Sequence, residues 1–218
     1  MGSYRDETEH LPFITDAEWA VVKSSEEVAF RKWKGKGSEP GLRGIIAYDA
    51  LMHTGFGFRI LERNSRGGNT ESINLFATLE DDPIEVCFRM IDGTLRGLRF
   101  KRKASVVTCV VPRQYGSPKN SKVPGGEIEL NRAFALQKEH DDNLRVFPMD
   151  VRIENGRTVY GSSRSVAVVG IGENVEEARD FSLMGVRQVR GKLRHRKDIA
   201  AASDILRSCK HMNVLRAE

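Results

Sequence analysis

The chain has 218 residues, 39% of them hydrophobic and 30% charged, with 35 basic side chains against 30 acidic ones. That length supports one large domain or two small ones with a real core, and no apolar run of about 18 residues occurs, which argues against a membrane-spanning helix. The net charge of +5 favours anionic partners, but so near a balance suits phosphate-bearing metabolites better than a long nucleic-acid track. Cys87, Cys109 and Cys209 are widely spaced and form no ligand motif, so they read as structural thiols of a reducing cytoplasm. Met1 to Glu7 lacks the apolar stretch of a signal peptide.

The first dozen residues are polar and read as a loop. Thr15 and Glu18 make a capping box that opens a helix through Trp19 and Val22 to Trp33. A loop from Gly35 to Gly41 follows, then strands Arg43 to Met52 and Gly57 to Arg63 joined by a turn at Thr54-Gly55. Asn69 is placed as the cap of a helix from Thr70 to Leu79, with Ile73, Leu75, Phe76 and Leu79 as its buried residues. Asp82-Pro83 opens a further helix that Gly93 ends. Strands are expected at Leu95 to Lys101 and Ala104 to Val111, with the domain boundary between them at Lys101-Arg102-Lys103.

Beyond Pro112, the segment from Gln114 to Gly126 is rich in Gly, Ser, Pro and Lys and reads as a loop. Strands are expected near Glu127 to Leu130, Arg145 to Ile153, Thr158 to Tyr160 and Ser165 to Ile171, with Asn155-Gly156 as a hairpin turn. Asn174 and Glu177 form a second capping box, opening a helix to about Arg190 with Val175, Ala178, Phe181, Val186 and Val189 as its core stripe. A last helix covers Ala201 to Leu215. The fold class is α+β, small and largely antiparallel sheets with helices on one face. The basic stretch Arg187 to Lys197 is either a solvated helix end or a phosphate-facing patch.

The chemistry concentrates at the end of the second strand, in Glu62-Arg63-Asn64-Ser65-Arg66-Gly67-Gly68. Residues two apart in a strand share a face, so Glu62 and Asn64 can set a carboxylate and an amide oxygen side by side. Such hard donors suit Mg²⁺, which keeps waters and takes further ligands from substrate phosphates. Arg66 continues that face and is placed on a phosphate oxygen. A helix starting just after this strand turns free backbone N–H groups toward a bound anion.

The run Glu62-Arg63-Asn64-Ser65-Arg66-Gly67-Gly68-Asn69-Thr70-Glu71 resembles the metal-strand motif E-x-N-A/S-R-x-G-D-P-E of phosphoribosylamine–glycine ligases, members of the ATP-grasp superfamily. Further blocks agree in order: Gly44 to Tyr48, Lys103 to Val111, Gly156-Arg157, Ser163 to Gly172, Glu176 to Arg179 and Arg194 to Ala200. The resemblance runs over essentially the whole chain and is closest to archaeal members. It implies the second half of an ATP-grasp domain over residues 1–102, an antiparallel sheet with helices, and a small α+β C-terminal domain over 103–218.

By this resemblance the cofactors are ATP and Mg²⁺ (or Mn²⁺), and the reaction joins phosphoribosylamine and glycine through a glycyl phosphate. Glu62 and Asn64 hold the metal, Arg66 the transferring phosphate, Asp49 is a further metal ligand and Arg164 shapes the substrate cleft. The family's glycine-rich phosphate loop and ATP-binding lysine have no counterpart here. The chain therefore reads as the C-terminal part of a ligase, with the N-terminal half as a separate chain or a missing segment. Departures are Asn69-Thr70 in place of Asp-Pro and Phe147-Pro148-Met149-Asp150 in place of Phe-His-Ala-Gly. The rival readings are a non-catalytic half-domain that binds nucleotide or a partner protein, and nucleic-acid binding through Arg187 to Lys197. No aromatic stacking platform accompanies that charge, so neither nucleic acid nor membrane is an expected partner.

Overall fold

The structure, a computed structural model, describes residues 1–8, 10–32, 47–64, 66–116 and 125–217. The expected elements at Trp33, Gly35 to Gly41 and Arg43 to Ile46 lie outside the described residues, as do 117–124 of the predicted loop. In chain order the elements are β1 (Gly2–Arg5), α1 (Asp16–Lys32), β2 (Ala47–Thr54), β3 (Gly57–Asn64), α2 (Asn69–Ala77) and α3 (Pro83–Ile91). They continue as β4 (Ala104–Pro112), β5 (Gly126–Glu129), α4 (Asn131–Glu139), β6 (Leu144–Pro148), β7 (Val151–Glu154) and β8 (Arg157–Tyr160). The chain closes with β9 (Val166–Gly172), α5 (Val175–Val186), β10 (Arg190–Gly191), β11 (Leu193–Arg194) and α6 (Ala202–Ala217).

The central sheet follows from two valine-rich runs. β4 and β9 pair antiparallel from Ala104–Gly172 to Val110–Val166, and every residue of both strands is buried. Continuous apolar strands of this kind need cover on both faces. Val110, Val166 and Val168 pack with Ala133 of α4 and Val186 of α5. Val107, Cys109, Ala167 and Val169 pack with Ile73 and Ala77 of α2. Helices therefore lie on both faces of this sheet, not on one. A second sheet runs β10-β5-β8-β7, and β2-β3 is a separate hairpin. The α+β class stands.

Several expectations change, each for a physical reason. β1 was not expected, because four half-buried residues carry too short a pattern; it pairs with β4 from Gly2–Thr108 to Arg5–Ser105. It thus joins the sheet built mainly from residues beyond the 102/103 boundary. Leu95 to Lys101 is not a strand: it docks through a single Leu79–Phe100 bridge and through Asp81, which accepts from the Arg99 backbone N–H at 2.6 Å. Arg145 to Ile153 is two strands in two sheets, split where Pro148 has no N–H to donate. α4 carries no capping signal, since Leu130 stands at its N-cap, and it was missed. The helix after Asn174 ends at Val186, and its continuation becomes the short strands β10 and β11.

Both capping boxes form. Asn174 accepts from the Glu177 N–H at 2.9 Å, and Thr15 exchanges bonds with Glu18. Glu18 also grips Arg216 of α6 at 2.9 and 2.7 Å, while Arg216 donates to the Phe13 carbonyl at 2.8 Å. The Arg216 hydrogen bond holds the Glu18 carboxyl at about 2, well below its ordinary 4.5. Because the folded value is depressed, this clasp stabilises the fold above about pH 4.5 and is lost as pH falls toward 2. Glu18→Gln is expected to be less stable than the parent by at most about 3 kcal/mol at pH 7, with the gap falling to under about 1 kcal/mol at pH 2.5, read by urea unfolding.

Candidate functional site

The hairpin owes its tight end to Thr54-Gly55-Phe56-Gly57. Gly57 sits at a φ of 87°, Thr54 Oγ1 donates to the Gly57 carbonyl at 2.9 Å and accepts from the Phe56 N–H at 3.2 Å. Strand alternation then sets Glu62 and Asn64 on one face of β3. Their side chains meet, with Asn64 Nδ2 donating to Glu62 Oε1 at 3.3 Å. Glu62 is exposed and Asn64 half-buried, so waters and substrate oxygens have access to both. Turning the Asn64 amide over would face its oxygen beside the carboxylate. A carboxylate and an amide oxygen with open surroundings fit an Mg²⁺ that retains waters and phosphate ligands. Among the described residues no three His, Cys, Asp or Glu side chains converge on a metal position.

Asp49 lies in β2 and its backbone pairs with Arg63, between the two candidates, beside an irregularity in the ladder; its side chain is outside the described residues. Arg66 does not continue the strand, which ends at Asn64. Its exposed guanidinium turns back to the Gly67 carbonyl at 3.2 Å. The glycine pair packs closely on α2: a Cβ on Gly67 would meet the Ser72 hydroxyl and one on Gly68 the Glu71 carboxylate, both side-chain ends that can turn aside. Gly68, not Asn69, is the N-cap of α2; it has no side chain to bond the first turn, and among the described residues none is seen to cap it, which leaves the first N–H groups to face an anion.

Arg164 is half-buried in the turn before β9. One guanidinium nitrogen lies 3.8 Å from Met1 Sδ, and its backbone carbonyl accepts from the Asp150 N–H at 3.0 Å. It also lies near the Cys109 thiol, whose pKa burial pushes up while the chain's amino terminus and Arg164 pull it down. The structure joins Glu62 to Asn64 directly; no contact links either of them to Arg66 or Arg164 among the described residues.

The basic stretch divides by use. Arg194 donates to the carbonyls of Arg113 and Tyr115 at 2.9 and 2.6 Å, and Arg196 pairs with Asp198. Arg179 of α5 secures the same segment through the carbonyls of Ile199 and Lys197 at 3.1 and 2.9 Å. These cations brace a strap between β11 and α6. His195 within it titrates below its ordinary value, first because it is half-buried and then because Lys197 and Arg187 are near.

A groove of 1520 Å³ runs between the N-terminal segment, α1, α2 and α6. Its walls include Tyr4, Trp19, Phe58, Glu71, Asn74 and Asp198. Sequence reading assigned α2's inner face to Ile73, Leu75, Phe76 and Leu79, yet Thr70 and Asn74 are buried and Phe76 is exposed. The available signal was the placement of Glu71, Asn74 and Leu75 at positions i, i+3 and i+4.

No family model matches the chain. It is similar to the phosphoribosylamine–glycine ligase of Pyrococcus furiosus, 34% identical over 218 residues, which are all of this chain and 47% of that protein. The Methanocaldococcus jannaschii protein of the same name is 33% identical, over 99% of this chain and 47% of its own length. The crystal structure of phosphoribosylamine–glycine ligase from Thermotoga maritima superposes with a TM-score of 0.67 at 22% identity, covering 91% of this chain and 46% of that one, a likeness of fold. The chain spans about half the length of the curated relatives it matches. It is thus a relative of the phosphoribosylamine–glycine ligases along its whole length, and corresponds to their C-terminal part.

Proposed function

We propose that the chain is the C-terminal part of an ATP-dependent carbon–nitrogen ligase of purine biosynthesis, a cytoplasmic enzyme joining phosphoribosylamine and glycine. The observation that carries this reading is the Glu62–Asn64 pair, side by side at 3.3 Å on an open strand end that leads into an uncapped helix. Glu62 and Asn64 would hold Mg²⁺ or Mn²⁺ against the phosphates of ATP. Asp49 falls outside this ligand set, because its register partner is Arg63, on the other face of β3. The bound ion would neutralise phosphate charge as the phosphoryl group moves.

The protein's own residues then bind and orient. Arg66, freed from the Gly67 carbonyl, holds an oxygen of the transferring phosphoryl group, and the open N-terminus of α2 adds backbone donors. A carboxylate oxygen of glycine takes the γ-phosphoryl group, giving glycyl phosphate and ADP. The amine of phosphoribosylamine attacks the acyl carbon, the C–O bond breaks, phosphate leaves and the amine sheds a proton. Arg164 lines the substrate cleft. Residues 1–102 supply the portion of the ATP-grasp domain and 103–218 the C-terminal domain, with β1 reaching across to the second.

An N-terminal half of the ligase, as a further chain or segment, completes the site. Exposed apolar residues support that part of the reading: Phe56 is 88% exposed at the hairpin tip, and Ile84, Phe88 and Ile91 stand exposed along α3. Apolar surface of this kind marks a contact face. The site is tested by titrating the 218-residue chain with Mn²⁺ and reading free Mn²⁺ by electron paramagnetic resonance. Glu62→Ala should weaken binding at least about tenfold. Unchanged binding in that variant, or none in the parent, would contradict the assignment.

A further inference from the structure

The second sheet ends in an open edge. Its order is β10-β5-β8-β7, so among the described residues β7 pairs with β8 alone. In the central sheet the corresponding edge, β6, is closed: Gln137 Oε1 accepts from the Val146 N–H at 2.7 Å, and Pro148 ends the strand without a donor. No side chain covers β7 in this way among the described residues. The hairpin fixes which of its groups face outward. Asn155 and Gly156 form the turn at φ values of 50° and 76°, a two-residue loop whose flanking residues, Glu154 and Arg157, bond to each other. By alternation Arg152 bonds to Val159, and Asp150 keeps the same phase, its carbonyl accepting from the Gly161 N–H at 2.9 Å. The N–H and C=O groups of Val151 and Ile153 therefore project from the open edge. Ile153 is 78% exposed, and on the opposite face of the strand Arg152 Nε donates to Glu154 Oε1 at 2.6 Å.

We propose that β7 pairs antiparallel with β7 of a second copy of this chain, centred on Ile153, and joins the two sheets edge to edge. A two-fold contact of this kind needs a strand that complements itself, and Arg152-Ile153-Glu154 does so. With Ile153 opposite its own copy, the two residues exchange both backbone hydrogen bonds. Arg152 of each copy then stands opposite Glu154 of the other, at the non-hydrogen-bonded positions where side chains approach most closely. Centring the pair on Arg152 or on Glu154 would instead set like charges opposite, so charge selects one register. The contact uses neither the Glu62–Asn64 pair nor the groove, and it stands or falls apart from the ligase reading.

The test is sedimentation velocity of the full 218-residue chain over a series from about 1 to about 300 μM, since so narrow a contact gives weak association. Low salt is used because exposed charge pairs are screened. A monomer–dimer equilibrium is expected. Arg152→Glu alone and Glu154→Arg alone each set like charges across the two-fold axis, and each should weaken association at least about tenfold. An equimolar mixture of the two variants sets unlike charges opposite once more and should recover the dimer. Neither a salt bridge within one strand nor association through the exposed face of α3 would produce that recovery. Ile153→Pro removes an N–H that β8 does not use and should also leave the chain monomeric. Circular dichroism checks the fold of each variant; if Ile153→Pro does not fold, the charge variants and their mixture decide. A parent that stays monomeric throughout the series, single charge variants that associate like the parent, or a mixture no more associated than its components would overturn the proposal.

Discussion

Gly170→Ala is expected to destabilise the fold by about 3 kcal/mol or more, a large share of the roughly 5–15 kcal/mol that holds a native domain together. Gly170 lies mid-strand in β9, where an added Cβ would overlap the Ala178 carbonyl oxygen and the Ser182 backbone nitrogen of α5. Both obstacles are main-chain atoms of a helix fixed by its own ladder, so neither can rotate away. Ser182 holds the same contact from the other side, its Oγ lying 3.0 Å from the Val168 carbonyl and 2.9 Å from Thr108 Oγ1. Urea unfolding measures the loss. Gly156→Ala is the comparison: at a φ of 76° in open space it meets only backbone strain, and about 1 kcal/mol is expected.

Much of this was legible in the sequence because it rests on short-range chemistry. The Asp82 cap and Pro83, the Asn174–Glu177 box, the Asn155-Gly156 turn and the valine runs of β4 and β9 all carry their reason locally. The proximity of Glu62 and Asn64 followed from strand alternation alone. What was not legible depends on distant partners. β1 is a strand only because β4 offers it an edge, and the inward turn of Asn74 depends on Ser3 and Ser105, 71 and 31 residues away. The Arg187 to Lys197 run could not be divided between structure and surface, because the carbonyls that Arg194 braces lie 81 and 79 residues back in the chain.

Glu62→Ala is expected to lower ligase turnover at least about 10²-fold in the completed enzyme, with little change in stability. Glu62 is exposed and its one hydrogen bond described is the 3.3 Å contact from Asn64, so removing it leaves no buried group unpaired. That separation of activity from stability is what marks a site residue. Asn64→Ala should follow in the same direction with a smaller loss, since a phosphate-bound ion keeps its other ligands. Unfolding curves and steady-state rates on the same preparations give both quantities.

The most direct test of the central claim is glycine-dependent ADP release by the chain completed with the N-terminal half of a relative, with phosphoribosylamine and Mg²⁺ supplied. The account predicts ADP release that requires both glycine and the amine and collapses in Glu62→Ala. ADP release indifferent to glycine, or a Glu62→Ala enzyme as active as its parent, would contradict it and favour a half-domain that binds without turnover.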